Sequence, residues 1–543
     1  MKNIFKYTFV GLLTGGMLLT TSCSEDLIET APTQSMSGQG LLASGMLLTT
    51  SCSEERIETA PTRSMSGQGL LANGNAALVA LNGIYREMYT AGWSTSGNTH
   101  QCFGITAYNL GAEVMGEDHI MGASGSGWFW YDALYNVKQR YASSSWRSYD
   151  LWYAYYNWIA NANYIIAAEE TMGGTSAEVN YAIGQAYAIR AYSYFMLSQW
   201  FARTLKGHES EKCVPLYTEP TTPETKGQPR ATNAEVYAQI DSDIKKAIDL
   251  LKGTEQQNKS HIGYAVALGI QARIALVEND WQTAYTAAEA AISASGCKIL
   301  DAKSVAGMND AGAADVMWGA GIIADQVGMY ASFFSHMDFE AGKYGQSAPK
   351  CINKELYAKM NPTDGRRDWW VEGVSSAGLL QEKFKFTDVA TWLGDYVFMR
   401  IEEMYLTAAE AACRLGDEAG AKTFLMALMS QRDPDYSVDK TGTALGATSA
   451  TADETGSLLE EILIQRRIEL WGEDGRMFTL KRLKQGFRRT AAQGWPSSAL
   501  LSTRPTDDPE SFMNVLTIPQ AEFDGNENMT LEADQNPEGD YKN

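Results

Sequence analysis

Two segments of this chain repeat one pattern. Residues 265–294 (AVALGIQARIALVENDWQTAYTAAEAAISA) and 402–431 (EEMYLTAAEAACRLGDEAGAKTFLMALMSQ) each read as helix, tight turn, helix. With the turn acids Asp280 and Asp417 aligned, Ala272 matches Ala409, Ala275 matches Ala412 and Ala284 matches Ala421. Small side chains at matched places along two helices let the axes approach closely, so each segment predicts a tightly packed antiparallel pair.

Small residues 12 apart and then another 7 on (Ala291, with Leu428 in the second copy) follow the spacing of tetratricopeptide helical pairs. The full Trp-Leu-Gly-Tyr signature is missing, and an ordinary Ala-rich hairpin stays open as the alternative. Helical periodicity dominates from Asn75 onward. Leu78, Leu81, Tyr85 and Met88 form one stripe of a helix over 76–90, and helices are expected over 146–169, 181–202, 233–252 (capped by Thr232 or Asn233) and 457–486. The helix over 181–202 is apolar nearly all round and therefore expected at the centre. Residues 215–229 are a Pro- and Thr-rich connector. Residues 296–397 break the helical pattern: they are Gly-rich, carry strand-like pieces at Val316 to Trp318 and Lys383 to Phe386, and contain the turn Asn361-Pro362-Thr363-Asp364-Gly365-Arg366. A long irregular insert between helical pairs is where a ligand surface is expected.

Composition excludes several classes. The 44 Lys and Arg against 65 Asp and Glu give a formal charge of −21, which argues against nucleic acid as a partner, because phosphate binding needs clustered cations. No run of about 18 apolar residues reads as a membrane span. The 7 Cys and 5 His are scattered without a C-x-x-C pair, so no metal and no cofactor are expected. No G-x-S-x-G, H-E-x-x-H, P-loop or dinucleotide motif occurs. The neighbouring carboxylates Glu117-Asp118 and Glu402-Glu403 do not by sequence adjacency make the paired geometry of a glycosidase, so enzyme activity is not expected.

The N-terminus reads as an address. Lys2 and Lys6 precede an apolar stretch from Phe9 to Leu19 and then Thr20-Thr21-Ser22-Cys23, the layout of a secretory signal over 1–22. A Cys after small residues resembles a bacterial lipobox, with Thr20 departing from the usual Leu or Val, which makes Cys23 the expected lipidation site. Ser24-Glu25-Asp26 resembles the signal that sends Bacteroidota lipoproteins to the outer face of the outer membrane. Residues Gly16 to Ser44 recur as Gly45 to Asn73, a 29-residue tandem copy altered at four places. The second lipobox-like Cys52 has Glu25, Asp26 and Glu29 upstream and only Met46 to Leu48 as apolar stretch, so residues 23–74 are expected to be a polar tether.

Further segments carry a family resemblance. Ala188-Ile189-Arg190-Ala191-Tyr192-Ser193-Tyr194-Phe195 with Val214-Pro215-Leu216, Met399 to Leu406 with Ala408-Ala409-Glu410-Ala411, Glu461 to Leu470 with Gly475-Arg476 and Leu480-Lys481-Arg482, then Ile518-Pro519 and Gln535-Asn536-Pro537, resemble in order the motifs of the SusD/RagB family of Bacteroidota glycan-binding lipoproteins. The resemblance covers most of 75–543. It implies a mostly α fold of tetratricopeptide-like helical pairs, an α-α superhelical scaffold with a loop-rich, irregular ligand-binding face, divided as 75–295, 296–397 and 398–543. It also implies a partner, a SusC-like TonB-dependent outer-membrane transporter, with oligo- or polysaccharide as ligand and outer-membrane lipid holding the acylated Cys. A tetratricopeptide-type protein adaptor and an all-α glycoside hydrolase are the alternatives.

Sugars are bound by laying their apolar faces on aromatic rings, with polar side chains around the edge. From Trp128 to Tyr164 there are 14 aromatics in 37 residues. The face Tyr149, Trp152, Tyr156 and Asn163 reads as core packing. Upstream, the Gly/Ser-rich stretch before Trp128 is expected on the surface, lifting Trp128 and Trp130 towards solvent. The resemblance implies glycan contacts in this region, and the candidate binding residues are Trp128, Trp130, Asp118 and Asn109, with Tyr330 and Tyr344 from the insert. His336 is expected in a structural hydrogen bond, Trp369-Trp370 with one ring buried and one exposed, and Arg190 paired with a buried carboxylate.

Overall fold

The computed structural model describes residues 71–91, 98–121, 128–136, 141–326, 331–373, 378–449, 454–504 and 506–538. The expected signal, tether and Cys23 lie almost wholly outside these residues, as does Tyr330.

The fold is mostly helical. Helices α1 (Gly74–Glu87), α2 (Ile105–Glu113), α3 (Trp146–Ala167), α4 (Ser176–Phe201) and α5 (Asn233–Leu251) build the N-terminal part. As its sequence dictates, α4 is central: from Tyr181 to Phe201 all but Tyr187 are buried, with α1, α3 and α5 packed around it. Its start is fixed by a capping box in which Glu178 N–H donates to Thr175 Oγ and Thr175 N–H to the Glu178 carboxylate; Thr232 and Glu235 do the same for α5.

The repeated segments fold as α6 (Tyr264–Glu278) with α7 (Trp281–Ser295), and α8 (Ile401–Arg414) with α9 (Glu418–Met429). Ala272, Ala275, Ala284, Ala409, Ala412 and Ala421 are all buried. Helix α7 packs on α8, so the two hairpins stack as consecutive superhelical units although the insert separates them in sequence.

The insert is organised by short strands. An antiparallel sheet runs in the order β1 (His119–Met121), β3 (Lys350–Ile352), β5 (Leu379–Gln381), β4 (Trp370–Glu372), so the first strand comes from the N-terminal part. Strand β2 (Val316–Ala320) pairs antiparallel with β6 (Tyr396–Arg400), which runs directly into α8. The strand expected at Lys383 to Phe386 is absent: Phe384 makes an isolated bridge with Gly307, and the Lys383 ammonium is buried, donating to Glu469 O (2.7 Å) and Trp471 O (2.9 Å). Those carbonyls are free because the helix expected over 457–486 is two, α10 (Leu458–Glu469) and α11 (Arg476–Leu483). Gly472 (φ 82°) and Gly475 (φ 74°) turn the chain between them, and Glu113 accepts from Gly472 N–H (2.6 Å).

Candidate functional site

The sheet register brings two remote segments together. Met121 stands opposite Lys350 and His119 opposite Ile352, so the chain after Met121 and the chain before Lys350 leave the same end of an antiparallel ladder. There the half-buried Trp128 ring meets Tyr344, with centroids 4.4 Å apart and planes at 39°. His100 lies 5.0 Å from Trp128 and pairs through Nδ1 with the Tyr344 hydroxyl. His336 forms the floor, 4.7 Å from Tyr344 and stacked on Phe103 at 5.4 Å. Its Nε2 donates to the His100 carbonyl (2.7 Å), and burial holds its pKa well below the usual value, so the ring is neutral.

Beneath the cluster, Phe129 adopts a left-handed backbone (φ 63°), a strained conformation for a side chain of that size. It is held from two sides. Gln101 Oε1 accepts from Phe129 N–H (2.7 Å), and the Arg147 guanidinium, bidentate to Asp132 (3.1 and 3.0 Å), lies 5.1 Å from the Phe129 ring. The kink separates the half-buried Trp128 from Trp130, which the sequence pairs as two exposed rings.

Of the expected binding residues, the structure brings Trp128 and Tyr344 together, Trp128 half-buried and Tyr344 only 8% exposed with its hydroxyl paired to His100, so Trp128 is the more open of the two rings. Trp130 is a correction: it opens a short helix and is only 5% exposed, packed in the core. Asp118 is another correction. It is 2% exposed, and Arg467 takes both its oxygens, Nε to Oδ2 at 2.7 Å and Nη2 to Oδ1 at 2.5 Å, so it is not offered to a sugar hydroxyl. Asn109 is partly buried on α2, where it donates to Glu473 O (3.1 Å) and lines a cavity of about 70 Å³. That cavity is walled by ion pairs, Arg273 with Glu403 and Arg466 with Asp474, and has room for a few waters rather than a sugar chain. Trp369 and Trp370 are both buried, against the expectation of one exposed ring, because Trp369 donates to Ala302 O (2.7 Å) and Trp370 packs edge-on against Trp471. His336 and Arg190 behave as expected, Arg190 being bidentate to Asp243 at 2.8 and 2.7 Å.

Two residues of the face escaped the sequence. His100 gave no signal apart from the Ser/Gly-rich stretch before it. Trp392 is half-buried beside a tight turn closed by the Asp388–Leu393 bridge, in a left-handed backbone (φ 59°), with the Lys343 ammonium 5.1 Å from its ring centroid. A lone Trp in a Thr-Trp-Leu-Gly turn was the available sign.

The family-like motifs mark buried charge instead of ligand contacts. Arg400 reaches Glu473 (2.8 Å) and Glu469 (3.2 Å), Arg432 donates twice to Glu469 (2.9 and 2.8 Å), and Arg482 holds both oxygens of Glu410 (2.7 Å each). Glu117 is clasped by Arg476 (2.9 Å) and Arg467 (3.2 Å). Burial acts to raise the Glu117 pKa, but the arginines outweigh it and hold the carboxyl at about 2; Glu410 is held at about 2 in the same way. Among the described residues no group of three or more His, Cys, Asp or Glu could hold a metal ion, and no helix is long and apolar enough to cross a membrane.

Residues 110–276 match a SusD-like family model described as starch-binding associating with outer membrane, and residues 343–538 match that of the SusD family. Among solved structures, a SusD-like carbohydrate binding protein from Bacteroides vulgatus is 23% identical, with 84% of this chain and 97% of that chain covered and a TM-score of 0.70. A SusD superfamily protein from Bacteroides thetaiotaomicron is 22% identical (86% and 100% covered, TM-score 0.68). Surface glycan-binding protein A from Bacteroides thetaiotaomicron, in complex with laminarihexaose, is 16% identical (86% and 99% covered, TM-score 0.61). No curated protein matches. With both parts of the body matched by models of one kind and the whole body sharing its members' fold, the chain belongs to the SusD/RagB family.

Proposed function

We propose that the protein is a lipoprotein anchored through Cys23 on the outer membrane, exposed at the cell surface, which captures oligo- or polysaccharide and delivers it to a SusC-like TonB-dependent transporter. The observation that carries the reading is the Trp128–Tyr344–His100 cluster: rings and polar edges brought together from two chain segments on the loop-rich side of a helical scaffold. The family's description as starch-binding and outer-membrane associated, and the laminarihexaose complex of a protein of the same fold, support it.

A binder fits better than a hydrolase. Glycoside hydrolysis needs two carboxylates flanking a bound sugar, one of them acting as acid. Glu117 and Asp118 are committed to Arg467 and Arg476, while Glu402 faces Arg400 and Arg432 and Glu403 faces Arg273. The test is electrophoresis in native gels containing candidate polysaccharides. Retardation without release of reducing sugar is expected; hydrolysis by the purified protein overturns the reading.

A further inference from the structure

We infer that the glycan taken by this face carries anionic groups, carboxylates of uronic acids or sulfate esters, and that Lys343 reads them. The inference rests on the glycan-capture reading and adds the substrate's charge. Lys343 immediately precedes Tyr344, the ring partner of Trp128, and its ammonium lies over the Trp392 ring, so it joins the two aromatic parts of the face. It is half-buried and has no carboxylate at ion-pair distance among the described residues.

Among the described residues, the acids just before Lys343 in the chain, those on Lys385 and those flanking the Trp392 turn are already committed. Asp338 accepts from the backbone N–H groups of Glu340, Ala341 and Phe386 (3.0, 3.2 and 3.1 Å). Glu340 and Glu382 both pair with Lys385. Asp388 accepts from Ala390 N–H (2.9 Å) and Thr391 Oγ1 (2.6 Å), and Asp395 from Ala311 and Ile322 N–H (3.0 and 2.8 Å). In a chain with 65 acids and 44 bases, a cation beside the platform with two carboxylates on the neighbouring Lys385 and none on itself is placed to meet an external anion. The Trp392 ring orients the ammonium without neutralising it. A carboxylate or sulfate within reach forms a charge-assisted hydrogen bond, which ring stacking on a neutral sugar cannot supply.

The test uses the folded protein lacking residues 1–23 on a panel of neutral β-glucan, polygalacturonate and chondroitin sulfate. Retention of polygalacturonate or chondroitin sulfate is expected, weakening as salt rises. Lys343→Met, which keeps the stem over Trp392, should lower that affinity about five- to tenfold with no change in melting temperature. The uronate and sulfate arms identify the anion. Retention of β-glucan alone, lost in Trp128→Ala, overturns the charge assignment and leaves capture standing. Acidic binding unchanged in Lys343→Met overturns the role of Lys343. Retention of no member contradicts glycan capture itself, and this inference with it.

Discussion

Asp280 and Asp417 occupy the same backbone conformation, φ −85° and ψ 80° against φ −86° and ψ 74°, and each caps the second helix of its hairpin by accepting a backbone N–H three residues on, from Thr283 (3.0 Å) and Gly420 (2.9 Å). The alignment that matched their flanking alanines in sequence thus matches a cap in space. Replacing Asp417 with Ala should cost about 1 kcal/mol, read by chemical denaturation. Ala409→Leu, at a fully buried position of the stacked hairpins, should cost about 1–3 kcal/mol by overpacking, whereas Gln282→Leu on an exposed face should change little.

Arg467 links α10 to the first strand, holding Asp118 and Glu117 at once. Arg467→Met should therefore destabilise the fold by up to about 3–5 kcal/mol, since Asp118 loses its bidentate partner and Arg476 is left as the remaining cation on both buried carboxylates. Asp118→Asn in the same background should recover part of that loss. No recovery would show that the arginine acts through packing alone.

Acid stability follows from the same groups. Glu117 and Glu410 have folded pKa values of about 2, below the unfolded value of about 4.3, so the stability they contribute is present above pH 4.3 and is lost as pH falls through 2. Melting temperature should fall steeply between about pH 4 and pH 2. Glu410→Gln should flatten the profile in that window and lower stability at neutral pH, where Arg482 loses its anion.

Anchoring makes a separate prediction. Cys23→Ala should release the protein from the membrane fraction, and Cys52→Ala should leave it bound; the reverse result would assign the lipid to the second copy of the duplicated segment. The structure adds one point to that segment. Its second copy ends at Asn73, the cap of α1, and the carbonyl of the preceding Ala72 accepts from Gly173 N–H (2.9 Å). Counted from Ser44, which ends the first copy, the positions that match the buried Leu81, Ile84 and Tyr85 of α1 hold Cys52, Glu55 and Arg56.

Helices and their pairing were legible because periodicity and small-residue spacing are local signals, and α3 to α9 start and end within a few residues of the bounds that the periodicity predicts. The break after Glu469 was hidden because buried Lys383, from a distant segment, satisfies the freed carbonyls. Aromatic composition misled in part. Many Tyr hydroxyls and amides serve the connector at 215–229 rather than a ligand: Tyr156 donates to Pro215 O (2.7 Å), Tyr164 to Thr221 O (2.5 Å), and Asn163 to Tyr217 O and Glu219 O. Trp128, expected towards solvent, is half-buried, and the Gly/Ser-rich stretch before it lies outside the described residues. Burial of Trp130 and Asp118 was not legible, since it depends on a left-handed residue at 129 and on arginines some 350 residues away.

The central claim is that sugars are held on the Trp128–Tyr344 cluster, and calorimetric titration of the retained polysaccharide into wild type and Trp128→Ala tests it most directly. A stacked ring contributes about 0.5–1.5 kcal/mol, so affinity should fall about two- to tenfold while the melting temperature stays near that of wild type. Unchanged affinity in a folded Trp128→Ala protein would contradict the account.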